Sequence, residues 1–210
     1  MHELVLACVT CMSVGFALGF AWQEYSTMRR LKQALSVSLA SAAPGATTAR
    51  HIETSILKAM PPAVSLGIGV DSIEEDSGQV HALSLSAPLK GNTNVHGTAF
   101  AGSLFAVGVL TSYYLVGEWL QRRGVDLAAY DVVAKDASIA YKRPASAERI
   151  VARSSMPSTS TLSAFEQELL TRGKATLPVP GRVMKDQQKV AVEYTINVCV
   201  YKKRKPDGSA

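Results

Sequence analysis

The stretch GNTNVHGTAFAGSLFAVGVL, residues 91–110, joins a polar turn to an uncharged helical run, with one histidine at the junction. The apolar pattern continues to Arg122, and large apolar side chains fall on nearly every side of the helix that it predicts. Because a helix that is apolar all round is a buried helix, we expect residues 99–122 to lie in the centre of the fold. A cationic last turn and the C-cap residue Gly124 then end the helix.

Patterns typical of strands lie on both sides of this helix. Before it, alternating apolar residues predict a strand within 63–73, and a polar link leads to a second strand over 79–89. After it, the sequence predicts strands over 131–141, 149–154, 174–177 (ending at Pro178) and 190–201, with a short helix over 163–173. This order predicts an α+β fold in which an antiparallel sheet wraps around one long central helix.

The amino terminus is a separate feature, because residues 4–22 form a run of 19 uncharged residues. As a helix this run would span roughly 28 Å, which is about one hydrocarbon core, so we predict a single membrane helix. Arg29, Arg30 and Lys32 follow it, and the positive-inside rule then places the rest of the chain in the cytosol. A mitochondrial membrane is the alternative. A secretory signal peptide would begin with positive charge, which is absent here.

Composition divides the chain into four parts. The predicted parts are a membrane anchor with its juxtamembrane segment at 1–35, a flexible linker at 36–50, a globular domain at 51–203 and a basic tail at 204–210. The first helix of the domain is expected over 52–60, where two prolines stop it.

Charge and motifs exclude several function classes. The net charge is +5, but residues 202–205 supply four of these charges, which leaves +1 for the rest and no basic surface for nucleic acid. The chain has no P-loop, no zinc-protease motif and no nucleophile elbow. Its histidines lie apart from any ligand-spaced partners, so neither a metal nor a cofactor is expected.

The junction resembles a known family. Its pattern N-x-N-x-H-G-T-A-F-x-G-S-L is similar to that of hotdog-fold thioesterases, and in particular to the YiiD C-terminal family, a domain of some GNAT-type acetyltransferases. The segment VVAKDASIAYKRPA, residues 132–145, strengthens the resemblance, which covers about residues 51–203. It implies a hotdog fold, hydrolysis of acyl-CoA or related acyl thioesters, and a homodimer whose sheets lie side by side.

Physical chemistry supports this interpretation of the junction. A helix start presents unpaired N–H groups and the positive end of the dipole, and Gly97 lets a carbonyl oxygen come close, so a thioester carbonyl would be polarised there. Asn94 is expected to position the carbonyl or water. His96 is expected to brace the loop, with a role as general base if it titrates near neutrality. Ordinary Asx turns are the alternative role for Asn92 and Asn94.

With the resemblance, substrate contacts are expected from five further residues: Asn92, Thr98, Phe100, Ser103 and Thr111. The phosphates of coenzyme A would meet basic residues such as Lys135, Lys142 or Arg143.

The chain departs from the family in one respect. Many hotdog thioesterases carry a carboxylate on the central helix about two turns after the His-Gly pair, where this chain has residues 105–108, FAVG. The candidate replacements are Thr111 or Ser112 on the helix, which could orient water but not deprotonate it unaided, and Asp136 on the following strand. A solvated aspartate on a strand face is the alternative for Asp136. Two functions therefore stay open: a membrane-anchored acyl-CoA thioesterase, and a catalytically silent hotdog domain that binds acyl thioesters or scaffolds a partner.

Overall fold

The computed structural model describes residues 46–185 and 189–203. The predicted membrane helix at 4–22, residues 36–45 of the linker and the tail at 204–210 lie outside the described residues. Within the described part, one helix, Ala101–Arg122, is long and apolar enough to cross a membrane, and 67% of its apolar window is buried inside the fold. This burial is what the sequence predicted for a central core helix.

The described chain forms four helices and six strands. In chain order they are α1 (Ala46–Ala59), α2 (Pro61–Ser65), β1 (Gly69–Asp76), β2 (Gln79–Pro88), α3 (Ala101–Arg122), β3 (Tyr130–Tyr141), β4 (Arg149–Ser155), α4 (Thr159–Arg172), β5 (Lys174–Met184) and β6 (Val190–Lys202). The strands form one antiparallel sheet in the order β1-β2-β4-β5-β6-β3. Helix α3 packs along one face of this sheet and contacts β2 to β6. The predicted α+β architecture with one central helix is confirmed.

The core lies between α3 and the inner face of the sheet. On β6 the buried side chains alternate, and Tyr194, Ile196 and Val198 face the helix. One glycine of α3 allows the sheet to approach the helix closely, because a Cβ on Gly108 would lie 3.1 Å from the ring of Tyr194. A Cβ on Gly117 would have no neighbour within 4 Å, so no close approach requires a glycine there.

The amino-terminal end of the domain differs from the prediction. Residues 63–65 of the predicted strand at 63–73 belong to helix α2, a turn follows, and β1 begins only at Gly69. Pro61 starts this helix, since the first turn of a helix needs no N–H from its first residues. Residues 46–50, predicted as linker, already belong to α1, which packs through Ile52 and Ile56.

Strand β5 runs through the two prolines that were predicted to break it. Strand β4 pairs with β5 only over 181–183, so the earlier residues of β5 have a single neighbour, β6. Gly173 and Lys202 form a hydrogen-bonded pair, and the register therefore points the nitrogen atoms of Pro178 and Pro180 away from β6. A proline at such a position removes no ladder hydrogen bond.

Helix α4 begins earlier than the capping-box pattern at Ser163 predicted. Its N-cap is Ser158, whose hydroxyl accepts a hydrogen bond from the Thr161 amide. Its predicted end at Gly173 is confirmed, with a left-handed φ of 66°.

Candidate active site

The junction forms a tight turn between β2 and α3. The amide of Asn94 donates to the Thr98 carbonyl over 2.8 Å, and the amide of Gly97 donates to the Asn94 carbonyl over 3.1 Å. Gly97 has a φ of 74°, a conformation that glycine adopts without strain. Val95 and His96 therefore stand at the exposed tip of the turn.

Asn94 braces this turn from inside. Its Oδ1 accepts hydrogen bonds from the amides of His96, over 2.9 Å, and Thr98, over 3.2 Å. Its Nδ2 lies 2.9 Å from the Thr98 hydroxyl and 3.3 Å from the Ala99 carbonyl. Since both ends of the amide are engaged, the predicted bracing role belongs to Asn94 rather than to His96, and Asn94 is a positioning residue.

Asn92 anchors the same loop to the rest of the domain. The side chain is 3% exposed, and its Nδ2 donates to the carbonyls of Leu66, over 2.9 Å, and Pro88, over 2.8 Å. Its Oδ1 is buried and has no hydrogen-bond partner in the part of the chain that the structure describes. Its two donated bonds hold the loop against the segment between α2 and β1, so the expected substrate contact by Asn92 is replaced by a structural role.

The polar groups that remain available lie at two places. The ring of His96 is exposed and makes no hydrogen bond within residues 46–185 and 189–203. The first turn of α3 has no side-chain cap, and the amides of Ala101, Gly102 and Ser103 find no acceptor among the described residues. The predicted oxyanion donor, Gly97, is wrong because its amide is used within the turn.

Phe100 covers this first turn. Its ring packs on Gly102 so closely that a Cβ there would lie 2.3 Å from the ring. The Phe100 side chain is nevertheless 54% exposed. An apolar surface therefore adjoins the unpaired amides, and the substrate contact by Phe100 stays a prediction.

The end of β3 completes the surroundings of the helix start. The hydroxyl of Tyr141 donates to the Ala101 carbonyl over 3.2 Å, and the Ala99 amide donates to the Ala145 carbonyl over 2.8 Å. Between these contacts, Lys142 forms an ion pair with Glu193. Arg143 donates to the Val190 carbonyl over 2.9 Å. Glu193 lies between the inward-facing Val192 and Tyr194, so its ion pair holds Lys142 on the face of the sheet away from the helix, and Arg143 is the exposed cation that follows the end of β3.

Exposed apolar side chains of α3 and β3 continue from this point. Tyr141, 49% exposed, is opposite Val192 in the sheet, on the face that carries the core. Ala137 lies on the same face of β3 and is also exposed. Phe105, 41% exposed, is one turn beyond Ala101 on the same side of the helix. We call the space between these side chains of α3 and β3 the acyl groove.

Two predicted site residues lie elsewhere. Asp136 is opposite Asn197, which donates to its Oδ1, whereas the neighbouring Ile196 and Val198 face α3. Directly opposite residues share a face of the sheet, so Asp136 faces away from the helix, and its expected catalytic role is contradicted. Lys135 precedes it in the chain, and the Lys135 Nζ lies 3.8 Å from the Asp136 Oδ2. Thr111 is fully buried and donates to the Val107 carbonyl over 2.6 Å, so it does not reach the junction.

Ser103 and Thr98 are at the junction itself. Ser103 is 3% exposed in the first turn of α3, and Thr98 is half-buried beside Asn94. A cleft of about 460 Å³ lies at the opposite end of α3. Its lining consists of Gln79, Trp119, Leu120, Arg122, Arg123, Val125, Glu166, Leu169 and Leu170.

Known proteins share this fold. A protein of unknown function from Chlorobaculum tepidum TLS is 23% identical over 78% of this chain and 99% of its own, with a TM-score of 0.67. A thioesterase described as putative, from Shewanella oneidensis, is 26% identical over 75% of this chain and 99% of its own, with a TM-score of 0.58. A protein from Pseudomonas aeruginosa, called a probable thioesterase, is 20% identical over 73% of this chain and 95% of its own, with a TM-score of 0.60.

A family model covers most of the domain. No curated protein matches the sequence. Residues 49–200, however, match the family model YiiD_C, described as "Putative thioesterase (yiiD_Cterm)". With this match, and with an antiparallel sheet around one central helix, the chain belongs to the YiiD C-terminal family of hotdog-fold thioesterases, whose chemistry is thioester hydrolysis.

Proposed function

We propose that this protein hydrolyses acyl-CoA thioesters at the amino-terminal end of α3. The observation that carries the proposal is the uncapped first turn, where Ala101 and Gly102 are exposed residues and their amides have no acceptor among the described residues. Amide groups at the start of a 22-residue helix also carry the positive end of its dipole. They would polarise the thioester carbonyl and stabilise the oxyanion of the tetrahedral intermediate.

The second group needed for hydrolysis is a base. Water attacks the polarised carbonyl carbon, its proton passes to a base, and collapse of the intermediate breaks the C–S bond. The thiolate of coenzyme A leaves and takes up the proton, so the products are a carboxylic acid and a thiol. We assign the base to His96, because its ring is exposed and makes no hydrogen bond within the described residues, while Asp136 faces the other side of the sheet.

The surroundings support a substrate with an apolar chain and an anionic carrier. The acyl groove begins at Ala101 and continues past Phe105, so it suits the acyl chain. Arg143 is exposed and follows Tyr141, whose hydroxyl contacts the first residue of α3, by two residues, and the phosphates of coenzyme A would meet this cation.

The sheet edge favours a homodimer. Strand β3 is an edge strand of 12 residues, most of them exposed, and its outer backbone groups have no neighbouring strand in the described chain. An edge of this length is a template for pairing with another chain. A second copy joined through β3 would continue the sheet and close the open side of the acyl groove.

The membrane helix predicted at 4–22 would hold this domain at a bilayer, on its cytosolic side, where long acyl chains partition. The second candidate function is a silent domain that binds acyl thioesters without hydrolysing them. It is favoured by one observation, which is that no carboxylate lies in the first two turns of α3.

One substitution tests the proposed oxyanion site. Proline is tolerated at the first position of a helix, and Phe100 already has the extended backbone that a following proline requires, with φ −66° and ψ 134°. Ala101→Pro therefore removes one amide donor without disturbing the helix. We expect kcat for acyl-CoA hydrolysis to fall by about a hundredfold or more.

The matched control is Ala101→Ser, which keeps the amide and should keep most of the activity. Equal turnover by the proline and serine variants would contradict the donor assignment. His96→Gln is expected to lower kcat while acyl-CoA binding persists. If the unmodified protein binds non-hydrolysable acyl-CoA analogues but cleaves no ester from acetyl to palmitoyl, the silent alternative holds instead.

A further inference from the structure

Basic side chains gather at the end of the domain where α3 ends. Strand β6 ends at Lys202, whose amide donates to the Gly173 carbonyl over 2.8 Å, next to the start of β5. Lys174 is the first residue of β5 and is opposite Tyr201 in the sheet. Arg172 is the last residue of α4. The ends of one helix and two strands thus bring these basic residues together, although they lie far apart in the sequence.

This cluster carries more positive than negative charge. Four basic residues of the described chain form it, and we call them the basic corner: Arg172, Lys174, Lys202 and Lys203. Arg172 is paired with Glu168 over 3.3 Å, and Lys203 with Asp131 over 3.6 Å. Lys174 and Lys202 are exposed and form no ion pair among residues 46–185 and 189–203. Two further basic residues, 204 and 205, follow in the sequence.

An exposed apolar side chain adjoins the basic corner. Leu170 is 84% exposed, two residues before the end of α4. It lines the cleft of about 460 Å³ at this end of α3, together with the buried side chains of Trp119 and Leu120. Cationic and apolar side chains thus lie side by side, which is the combination that binds proteins to the surface of a bilayer.

The chain enters the domain at the same end. Thr48, in the first turn of α1, accepts a hydrogen bond over 2.6 Å from Arg122, the last residue of α3. Lys203 of the basic corner contacts the segment that follows α3, because its amide donates to the Ala129 carbonyl over 2.9 Å. The residues before α1, which include the predicted membrane helix at 4–22, therefore join the domain at the end that carries the basic corner.

The candidate active site is at the other end of α3. A helix of 22 residues is about 33 Å long, so the start of α3 lies about this far from its end, measured along the helix axis. A bilayer bound to the basic corner would therefore leave the start of α3 open to a substrate dissolved in water.

We propose that the basic corner and Leu170 bind the anionic headgroups of a bilayer, so that the domain lies on the membrane with the start of α3 turned away from it. Lysine and arginine side chains are attracted to the negative surface potential of an anionic leaflet. The exposed leucine favours a bilayer over nucleic acid, because a phosphate backbone offers it no apolar surface.

This inference rests on the membrane helix of the proposed function and is independent of thioester hydrolysis. A helix that anchors the chain makes the contact between the basic corner and lipid an intramolecular one. A few lysine and arginine side chains then suffice, although they would bind only weakly from solution.

Acetylation of individual lysines tests the contact in the full chain. The protein is placed in lipid nanodiscs of phosphatidylcholine, with or without phosphatidylserine, and mass spectrometry follows the reaction of each lysine with a water-soluble reagent. We expect Lys174 and Lys202 to react roughly fivefold more slowly on the anionic discs. This protection should disappear in about 1 M salt, where the Debye length is about 3 Å. Lys90, exposed after β2, is the internal control and should react equally on both discs.

A charge variant separates the basic corner from a general attraction to the lipid. Lys174→Gln combined with Lys202→Gln should reduce the protection of Lys203 on the anionic discs. The matched control, Lys90→Gln combined with Lys135→Gln, removes the same charge elsewhere and should keep that protection. Equal reaction rates of Lys174 and Lys202 on both kinds of disc in the unmodified protein would overturn the proposal.

Failure of the proposed membrane helix gives a different result. If the full chain stays in solution without detergent, sedimentation with vesicles of the same two lipid compositions replaces the nanodiscs. Binding to the anionic vesicles alone, weakened by Lys174→Gln with Lys202→Gln, would support the basic corner as a lipid contact without an anchor. Binding to neither kind of vesicle, or to a DNA oligonucleotide in preference to both, would overturn it.

Discussion

At the scale of single residues, the amide side chains at the junction position other groups. Asn94 fills its hydrogen bonds with the turn around it, and Asn92 donates both of its hydrogens to carbonyls of neighbouring segments. The hydrogen bonds of these asparagines stabilise the loop that carries His96. The unpaired amides of α3 come directly after this loop in the chain. Asx turns, the alternative that the sequence left open, describe Asn94 better than a direct contact with substrate does.

Glu118 gives a residue-scale prediction for pH. Desolvation by burial raises its pKa above the ordinary value of 4.5, and the attraction of His51 and Arg122 opposes this only in part. The folded protein therefore holds the proton more tightly than the unfolded chain does. This tighter proton binding stabilises the folded state, fully below about pH 4.5, and the stabilisation is lost as the pH rises through the raised pKa of Glu118.

We expect Glu118→Gln to unfold at a higher temperature than the unmodified protein at neutral pH, with the difference vanishing in acid. Thermal unfolding across this pH range measures it. Glu168→Gln, at a more exposed site paired with Arg172, should show no comparable gain at neutral pH. A lower melting temperature for Glu118→Gln at neutral pH would mean that the contacts with His51 and Arg122 outweigh desolvation.

At the scale of elements, the central helix was the most predictable part of the fold. Its apolar residues on all sides specify burial whatever surrounds it, and its C-terminal glycine follows the general capping rule. Strand β5 was the least predictable of the strands. Its prolines are harmless only because β4 ends early and leaves their nitrogen atoms without a partner strand. The early end of β4 is visible only in the assembled sheet, so the sequence of β5 does not show that its prolines are tolerated.

The glycines of α3 provide an element-scale prediction. Gly117→Ala meets nothing within 4 Å and should stabilise the domain by about 0.5–1 kcal/mol, the helix-propensity difference. Gly108→Ala gains the same propensity but presses a methyl group against the fixed ring of Tyr194, at 3.1 Å. We expect this contact to cancel the gain, since overpacking costs about 1–3 kcal/mol.

Urea unfolding of the two variants measures the difference. The variants form a matched pair, because both place the same residue in the interior of the same helix. Equal stabilisation by both substitutions would show that the Tyr194 ring moves aside for the added methyl group.

At the scale of the whole molecule, the open edge of β3 is the feature that favours association with a second copy of the chain. The register with β6 points the amides of Ala137, Ile139 and Tyr141 away from β6, because Lys142 and Ala191 form a hydrogen-bonded pair. A second copy would pair with β3 by accepting hydrogen bonds from these amides. The same copy would cover the exposed apolar side chains of the acyl groove.

Ala137→Pro therefore tests the homodimer. The substitution removes one outward amide and leaves the ladder to β6 intact, so the fold should persist while the dimer dissociates. Sedimentation of the detergent-solubilised protein measures the mass, and the control Ala137→Val keeps the amide. Dimers of unchanged stability in the proline variant would mean that the copies associate through another surface, or that β3 stays an open edge.

The sequence by itself determined the α+β class, the central helix, most of the strands and the place of the junction. It could do so because burial patterns, helix ends and turn residues act over a few neighbouring residues. Only the tertiary structure decided which groups at the junction are available. The amide of Gly97 donates its hydrogen bond within the turn, and Asp136 lies on the face of the sheet away from α3. The amides in the first turn of α3 have no acceptor among the described residues. Hydrogen-bond partners and strand register depend on segments far apart in the chain, and no local pattern contains them.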